Sequence, residues 1–376
     1  GAGTSTNMNV NEVIANVALD LLGKAHGDYT VLHPNDHVNM MQSTNDSYPT
    51  GLRVAVLLAL EPLLETLMDL AKSLGAKSAE FRDVLKLGRT QLRDAVPMTL
   101  GQEFGAFSTT VLSEIANLKQ VSRQLLSINL GGTAIGTGIT AHPDFGASAT
   151  QELRRLTGYE FERAPDLVEA TSDVGAFVSF SGALKRLALK LSKIAGDLRL
   201  LSSGPWAGFG EISLPAVQAG SSIMPGKVNP VIPEAINQVA YLVCGHDLTV
   251  TMCAEGGQLQ LNPFEPMIAH CLFSSTHCLT NAVTVLTTRC VDGIDAEWER
   301  CRSYIEGSAS IITALVPRLG YDVCSRLAKR ALVEKRKILD LLLEESLLPS
   351  EELAELLRPE LLTGVASGAS VDRPQS

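Results

Sequence analysis

Long stretches in which apolar residues return every three or four positions limit most strongly what this chain can fold into. Over residues 51–80, Val54, Leu57, Leu58, Leu64, Leu67, Ala71 and Leu74 recur at helical spacing, with Gly75 as an expected interruption or stop. Comparable stretches cover 100–126, 181–201, 233–252 and 266–290. Segments of about 20 residues make helices roughly 30 Å long, which bury their apolar stripes most easily side by side. Aromatic residues are only 5% of the chain, so Leu, Val, Ala and Ile must fill the core. The expected fold is mainly α, a long-helix bundle. Stripes this long also favour burial between subunits, hence a homo-oligomer.

A chain of 376 residues, 45% hydrophobic and 19% charged, is too apolar to remain disordered and long enough for two or three domains. Its net charge of -10, with no basic stripe, argues against a nucleic-acid partner, because phosphate binding needs clustered cations. A small anionic substrate stays open, since a few cations and N–H groups set the field inside one cleft. The seven cysteines form an odd set without CxxC spacing, so buried thiols are expected and no metal is assigned to them. The longest apolar run, 54–60, ends at Glu61 and Pro62, and the chain shows no signal peptide; the reading is cytoplasmic, without a membrane partner.

Gly- and polar-rich stretches separate the helices at 1–11, 33–48, 88–97, 131–146 and 204–230, and function is expected there. After Asp295, shorter charged helices over 328–345 and 350–357 precede a Gly/Ser/Pro-containing tail, read as a small helical C-terminal domain with a frayed end.

The segment Gly220-Ser221-Ser222-Ile223-Met224-Pro225-Gly226-Lys227-Val228-Asn229-Pro230 joins two hydroxyls, a cation and an amide to residues that discourage regular structure. Lys227 offers a point charge to a carboxylate and Asn229 an amide donor, while Gly220 and Gly226 permit close backbone approach to a ligand. Composition alone fits an ordinary surface turn equally well. The full order of residues, however, resembles the GSSxMPxKxNP signature of the fumarase/aspartase superfamily without a mismatch. Further segments in the same order are similar to other family motifs: Gly1 to Asn9, His33 to Asn39, Gln42 to Asp46 and Gly131 to Gly138.

Within that superfamily the chain most resembles the aspartate ammonia-lyases, with class II fumarases next. Thr44 stands where fumarases usually have a second Ser, and Gln91 where they have His; the segment Asp166 to Asp173 also looks aspartase-like. Gln91 cannot titrate, so it can hydrogen-bond an intermediate but cannot act as the acid or base that a water-adding enzyme needs. A polar residue at a helix entry is the plainer reading of Gln91.

The resemblance implies anti β-elimination of L-aspartate through an enediolate, with Ser221 as the base. It implies substrate contacts from Thr4, Ser43, Thr44, Asn45, Thr90, Gln91, Ser222, Lys227 and Asn229, with Glu234 supporting from behind; dipole stabilisation at a helix start is the plainer role for Glu234. It also implies a homotetramer in which each active site draws on three subunits. No cofactor is expected, and activation by a divalent cation stays open because some members show it. The family carries a further N-terminal domain ahead of the Gly1–Asn9 motif, so the expected division is 1–43 as the remnant of that domain, 44–299 as the long-helix bundle and 300–376 as the C-terminal domain. Trp206 and Thr140 depart from the Arg and Asn common in relatives. The competing expectations are a class II fumarate hydratase and a non-catalytic helical assembly protein.

Overall fold

The structure, a computed structural model, describes residues 1–356, 358, 362 and 363. The expected tail and Leu357 lie outside the described residues. Helix α1 (Thr4–Leu21) leads through a short π-helix (Pro34–Val38) into α2 (Thr44–Glu80). The antiparallel strands β1 (Leu85–Thr90) and β2 (Arg93–Thr99) follow, then α3 (Leu100–Ser122) and a 3-10 turn (Arg123–Leu126). The short strand β3 (Ser127–Ile128) pairs in parallel with β4 (Glu162–Arg163) around α4 (Phe145–Thr157). Next come α5 (Leu167–Ser172), α6 (Gly175–Leu201), β5 (Ile212–Ser213), α7 (Val231–Glu255) and α8 (Glu265–Arg289). Strand β6 (Asp295–Ala296) pairs with β5 and precedes α9 (Trp298–Gly307), α10 (Val316–Leu319), α11 (Tyr321–Glu334), α12 (Ile338–Glu345) and α13 (Ser350–Leu356).

The mainly α expectation holds, and α6 shows why. Phe177, Phe180, Leu184, Leu187, Leu191, Ile194, Leu198 and Leu201 are all buried, at alternating steps of three and four. That is a seven-residue repeat, which keeps one seam of a helix facing its neighbours over its whole length. In α2 the buried set Leu52, Val56, Leu60, Leu63, Leu67, Leu70 and Leu74 is nearly as regular.

The chain divides into two compact units. The first comprises Gly1–Met68, Val111–Lys193 and Ala235–Thr284; the second comprises Asp69–Thr110, Ile194–Glu234 and the chain from Val285 onward. Leu19, Leu63, Phe177, Phe180, Val250 and Leu272 lie in the core of the first. In the second, Phe81 meets Phe104 edge to face with ring centroids 5.2 Å apart. A further cluster of that unit gathers Ile305, Leu315, Leu327 and Leu341 around Leu87 of β1. The small C-terminal helices are therefore built onto the hairpin.

Four local expectations need correction. Helix α2 does not stop at Gly75, because apolar positions on both sides stay in register with the buried seam. Residues 1–11 are not a loop: from Thr4 they form α1, which buries Asn11, Ala15 and Leu19 on one face. Residues 88–97 belong to the β-hairpin. The expected helix 328–345 is broken after Glu334, where Lys335 takes φ +51° and ends α11. Among the described residues no helix is long and apolar enough to cross a membrane.

Candidate active site

In the first unit, the start of α2 carries Ser43, Thr44 and Asn45 on a reciprocal cap. The Ser43 hydroxyl accepts the Asn45 N–H at 3.2 Å, and the Asp46 carboxylate accepts the Ser43 N–H at 2.9 Å. This is a capping box, which satisfies backbone donors that a helix start leaves open. Thr44 Oγ1 accepts from the Asn7 amide at 3.1 Å. A hydroxyl held this way through its acceptor lone pairs keeps its own proton to donate, the arrangement that suits a carboxylate ligand.

Asp46 is fully buried. Its second oxygen accepts the N–H groups of Gly131 and Thr133 at 3.1 and 2.9 Å, which ties the Gly-rich segment after β3 to the start of α2. Burial raises the Asp46 pKa against the pull of these donors. From the same helix start, Asn45 Nδ2 donates to the carbonyl of Ala134 at 2.7 Å. Pro49 has no N–H for the carbonyl four residues earlier, that of Asn45, and the Asn129 amide donates to it instead at 2.9 Å. The proline thus frees a backbone acceptor that a side chain from another segment uses to hold Asn45.

Thr4 is exposed at the first turn of α1, where its N–H donates to the Gly1 carbonyl at 3.0 Å. Gly3 just before it takes φ +89°, and a Cβ there would sit 2.4 Å from the Tyr48 ring. Only glycine fits both constraints. A cavity of about 500 Å³ opens between α1 and α2, with Thr6, Asn7, Asn11, Gln42, Ser47 and Tyr48 as its polar wall. Deeper in this unit Arg53 and Glu265 are both buried. Arg53 lies 5.0 Å from the Phe177 ring centroid and donates to the Gln124 carbonyl at 3.3 Å. Burial pushes the Glu265 carboxyl up to about 7, with Arg53 opposing the shift.

The second unit holds the catalytic-loop candidate. Ser221 Oγ accepts the N–H groups of Ile223 and Met224 at 3.2 and 3.0 Å. Asn229 closes the neck of the loop by donating to the Gly220 carbonyl at 2.5 Å. A Cβ on Gly220 would lie 1.8 Å from the Lys227 carbonyl oxygen, so the two strands of the neck touch only because position 220 is glycine. Ser222 and Lys227 are exposed beyond the neck. Glu234 sits in the first turn of α7, facing Arg199 at 3.9 Å. That position favours a carboxylate by the helix dipole.

Thr90 and Gln91 are exposed at the tip of the β1–β2 hairpin. Thr90 pairs with Arg93 across the ladder, and Gln91 with Leu92 makes the two-residue turn. Gln91 is therefore a turn residue of a hairpin, not a cap at a helix entry. Of the departures from the family pattern, Trp206 is 94% exposed and Thr140 takes φ +71°.

The candidate residues thus fall into two groups, Thr4 with Ser43, Thr44 and Asn45 in the first unit, and Thr90, Gln91 and the 220–230 loop in the second. Sequence reasoning missed Asp46, Asn129 and Pro49 as supports, although the Ser43-x-x-Asp46 spacing signals Asp46 and a proline four residues after Asn45 signals the freed carbonyl; no local spacing marks Asn129, 84 positions away. All seven cysteines are free, and burial pushes the Cys290 and Cys301 thiols up to about 12. Among the described residues no group of three or more His, Cys, Asp or Glu is placed to hold a metal ion.

Long helices joined by polar loops, with a Gly/Ser/Pro loop that holds its own serine hydroxyl, are the arrangement expected of the lyase superfamily that the sequence resembles. The family described as Lyase matches residues 1–245, and the one described as Fumarase C C-terminus matches 311–364. The chain belongs to the fumarase/aspartase superfamily of lyases. Within it, the aspartate ammonia-lyase of Pseudomonas fluorescens is 58% identical over 361 residues, 96% of this chain and 76% of that protein. The fumarate lyase:delta crystallin from Brucella melitensis, solved bound to cobalt, is 55% identical with a TM-score of 0.92, over 96% of this chain and 78% of that one. The recombinant class II fumarase from Schistosoma mansoni shares the fold at a TM-score of 0.88 with 35% identity, over the same 96% and 78%.

Proposed function

We propose that the chain catalyses the reversible anti β-elimination of L-aspartate to fumarate and ammonia, a carbon–nitrogen lyase reaction. The observation that carries this reading is the pair of backbone N–H groups aimed at Ser221 Oγ. A neutral serine is a weak base, and two fixed donors stabilise the alkoxide that abstracts a proton. Ser221 removes the C3 proton, and the electron pair moves onto the adjoining carboxylate as an enediolate. That pair then returns to form the C2–C3 double bond as ammonia leaves C2.

Lys227 and Asn229 meet the carboxylate on which charge grows, so their contribution falls on turnover as well as binding. Thr4, Ser43, Thr44 and Asn45 orient the same carboxylate through hydroxyl and amide donors, with Thr90 and Gln91 alongside. Asn45 and Thr90 also meet the amino group, Ser222 supports the loop and Glu234 backs it from α7. Support for ammonia rather than water as the leaving group comes from Gln91, which cannot titrate, and from the higher identity to the aspartate ammonia-lyase than to the class II fumarase. The substrate's own carboxylate is the electron sink, so the reaction needs no organic cofactor; activation by a divalent cation is read by titrating Mg²⁺ against a chelator.

The active assembly is a homotetramer with each site drawn from three subunits. Support comes from α7, where Tyr241, Leu248 and Met252 are exposed at spacings of seven and four and so share one face. Light scattering coupled to size exclusion gives the subunit number.

The deciding experiment follows fumarate absorbance from L-aspartate, with L-malate in parallel and Ser221→Ala as control. Aspartate-dependent signal that falls on the order of 100- to 10,000-fold in the control supports the elimination and its base. Signal from malate alone makes the chain a hydratase. A folded protein silent on both substrates supports the non-catalytic assembly reading.

A further inference from the structure

The turn that carries Gln91 runs against its own backbone preference. Gln91 and Leu92 take φ +53° and +59°, the two successive left-handed residues of a type I′ hairpin turn. Such turns favour Asn-Gly; side chains as large as Gln and Leu hold this conformation only where their surroundings over-determine it.

An ion-pair chain anchors strand β1, which leads into the turn. Arg89, one residue before Thr90, donates from Nη1 to Glu211 Oε1 at 2.7 Å. Its guanidinium lies 4.3 Å from the Phe209 ring centroid and 5.2 Å from that of Tyr304. Glu211 is 0% exposed, and its other oxygen stands 2.9 Å from Lys86 Nζ, which reaches Glu103 at 2.5 Å. The segment that presents Glu211 is itself fixed: Arg300 donates to the carbonyls of Gly208 and Phe209 at 2.9 and 3.0 Å, and the Tyr304 hydroxyl to Phe209 at 2.9 Å. The ladder shifts register between Leu87 and Arg89, at Gly88, where a Cβ would lie 2.8 Å from the Val96 carbonyl oxygen. Residues 86–89 are thus tied down while 90–92 stand in solvent.

We propose that Arg89 and Glu211 are a positioning pair: they clamp the base of the strained Gln91–Leu92 turn so that Thr90 and Gln91 meet the substrate in one fixed orientation. The inference rests on the reading of Thr90 and Gln91 as substrate contacts in the elimination reaction. Glu211 is fully buried and Arg89 is engaged with it and with the Phe209 ring, so the pair is assigned no contact with substrate. Their effect passes through the backbone of the turn, where a displacement of about 1 Å is enough to cost on the order of 100-fold in rate.

The test uses the full chain carrying Arg89→Lys, which keeps the charge but loses the planar fork and the stacking on Phe209, and Glu211→Gln as a second, independent change. Melting temperature, kcat and KM for L-aspartate are measured for each. A clamp predicts that kcat/KM falls roughly 10- to 100-fold while the protein still melts cooperatively. It also predicts rescue. Adding Leu92→Gly, a residue that enters the left-handed region without strain, restores activity at least about fivefold in the Arg89→Lys background, because a turn content with its own geometry needs no clamp. A purely structural role for Arg89 gives no such rescue.

Variants that keep kcat and KM within about twofold of the parent overturn the proposal, as does activity lost only together with cooperative melting and not returned by Leu92→Gly. A parent silent on aspartate overturns the functional reading and this inference with it. An active parent with indifferent variants overturns this inference alone.

Discussion

Asp46 accepts the N–H of Thr133 at 2.9 Å, so one buried carboxylate joins the first turn of α2 to the Gly-rich segment beyond β3. The same residue closes the cap on Ser43, at 2.9 Å. Two of the segments that resemble superfamily motifs are therefore a single hydrogen-bonded piece of structure.

Asp46→Asn keeps the shape but replaces one acceptor oxygen by an NH₂ group, which must face backbone N–H donors. A buried donor left without an acceptor costs about 1–3 kcal/mol. The expected result is a lower urea midpoint with an unchanged slope, and a loss of activity larger than the stability loss accounts for, since Asn45 is oriented by the same piece. An unchanged midpoint would show that the Asp46 bonds do not hold the motif.

The bundle was legible from sequence because its seams repeat every seven residues, and the α6 series from Phe177 to Leu201 leaves little alternative. Helix α1 was not, because its Thr- and Asn-rich start reads as a loop and its buried side is narrow. The hairpin stayed hidden because Gln91-Leu92 lacks the Asn-Gly signature of the turn it forms. Ser221 and its loop stood out as a motif. Arg89 and Glu211 did not, since a contact across 122 positions leaves no mark in local spacing.

Gly220→Ala tests the neck of the catalytic loop. The added carbon would fall 1.8 Å from the Lys227 carbonyl oxygen, so the neck has to open and the bond from Asn229 to the Gly220 carbonyl lengthens. The loop beyond is largely exposed, so melting should change little while kcat/KM for aspartate falls on the order of 100-fold. Activity within about twofold of the parent would mean that the neck geometry is dispensable.

Thr140 is a β-branched residue at φ +71°, a conformation that costs L-residues roughly 1–2 kcal/mol and that Asn tolerates better. Thr140→Asn should stabilise the protein by about 0.5–1 kcal/mol without altering activity. The check is a denaturant midpoint beside a kcat measurement; a destabilised variant would mean that the Thr140 side chain makes contacts worth more than the strain.

Glu265 gives the pH prediction. Its carboxyl is raised from the ordinary 4.5 to about 7 by burial, against the opposing charge of Arg53. A folded-state value above the unfolded one means that the native chain holds the proton more tightly. The corresponding stability is fully present below about 4.5 and is lost as pH rises through 7. Glu265→Gln mimics the protonated form at every pH. It should match the parent near pH 4.5 and exceed it at pH 8 by on the order of 3 kcal/mol, the equivalent of the shift. The attraction of Arg53 is already contained in that shift, in which burial of the carboxyl outweighs it. Paired urea titrations at pH 5 and pH 8 read it directly. A variant less stable than the parent at pH 8 would show that the ionised Glu265 is held by Arg53 as a net stabilising pair.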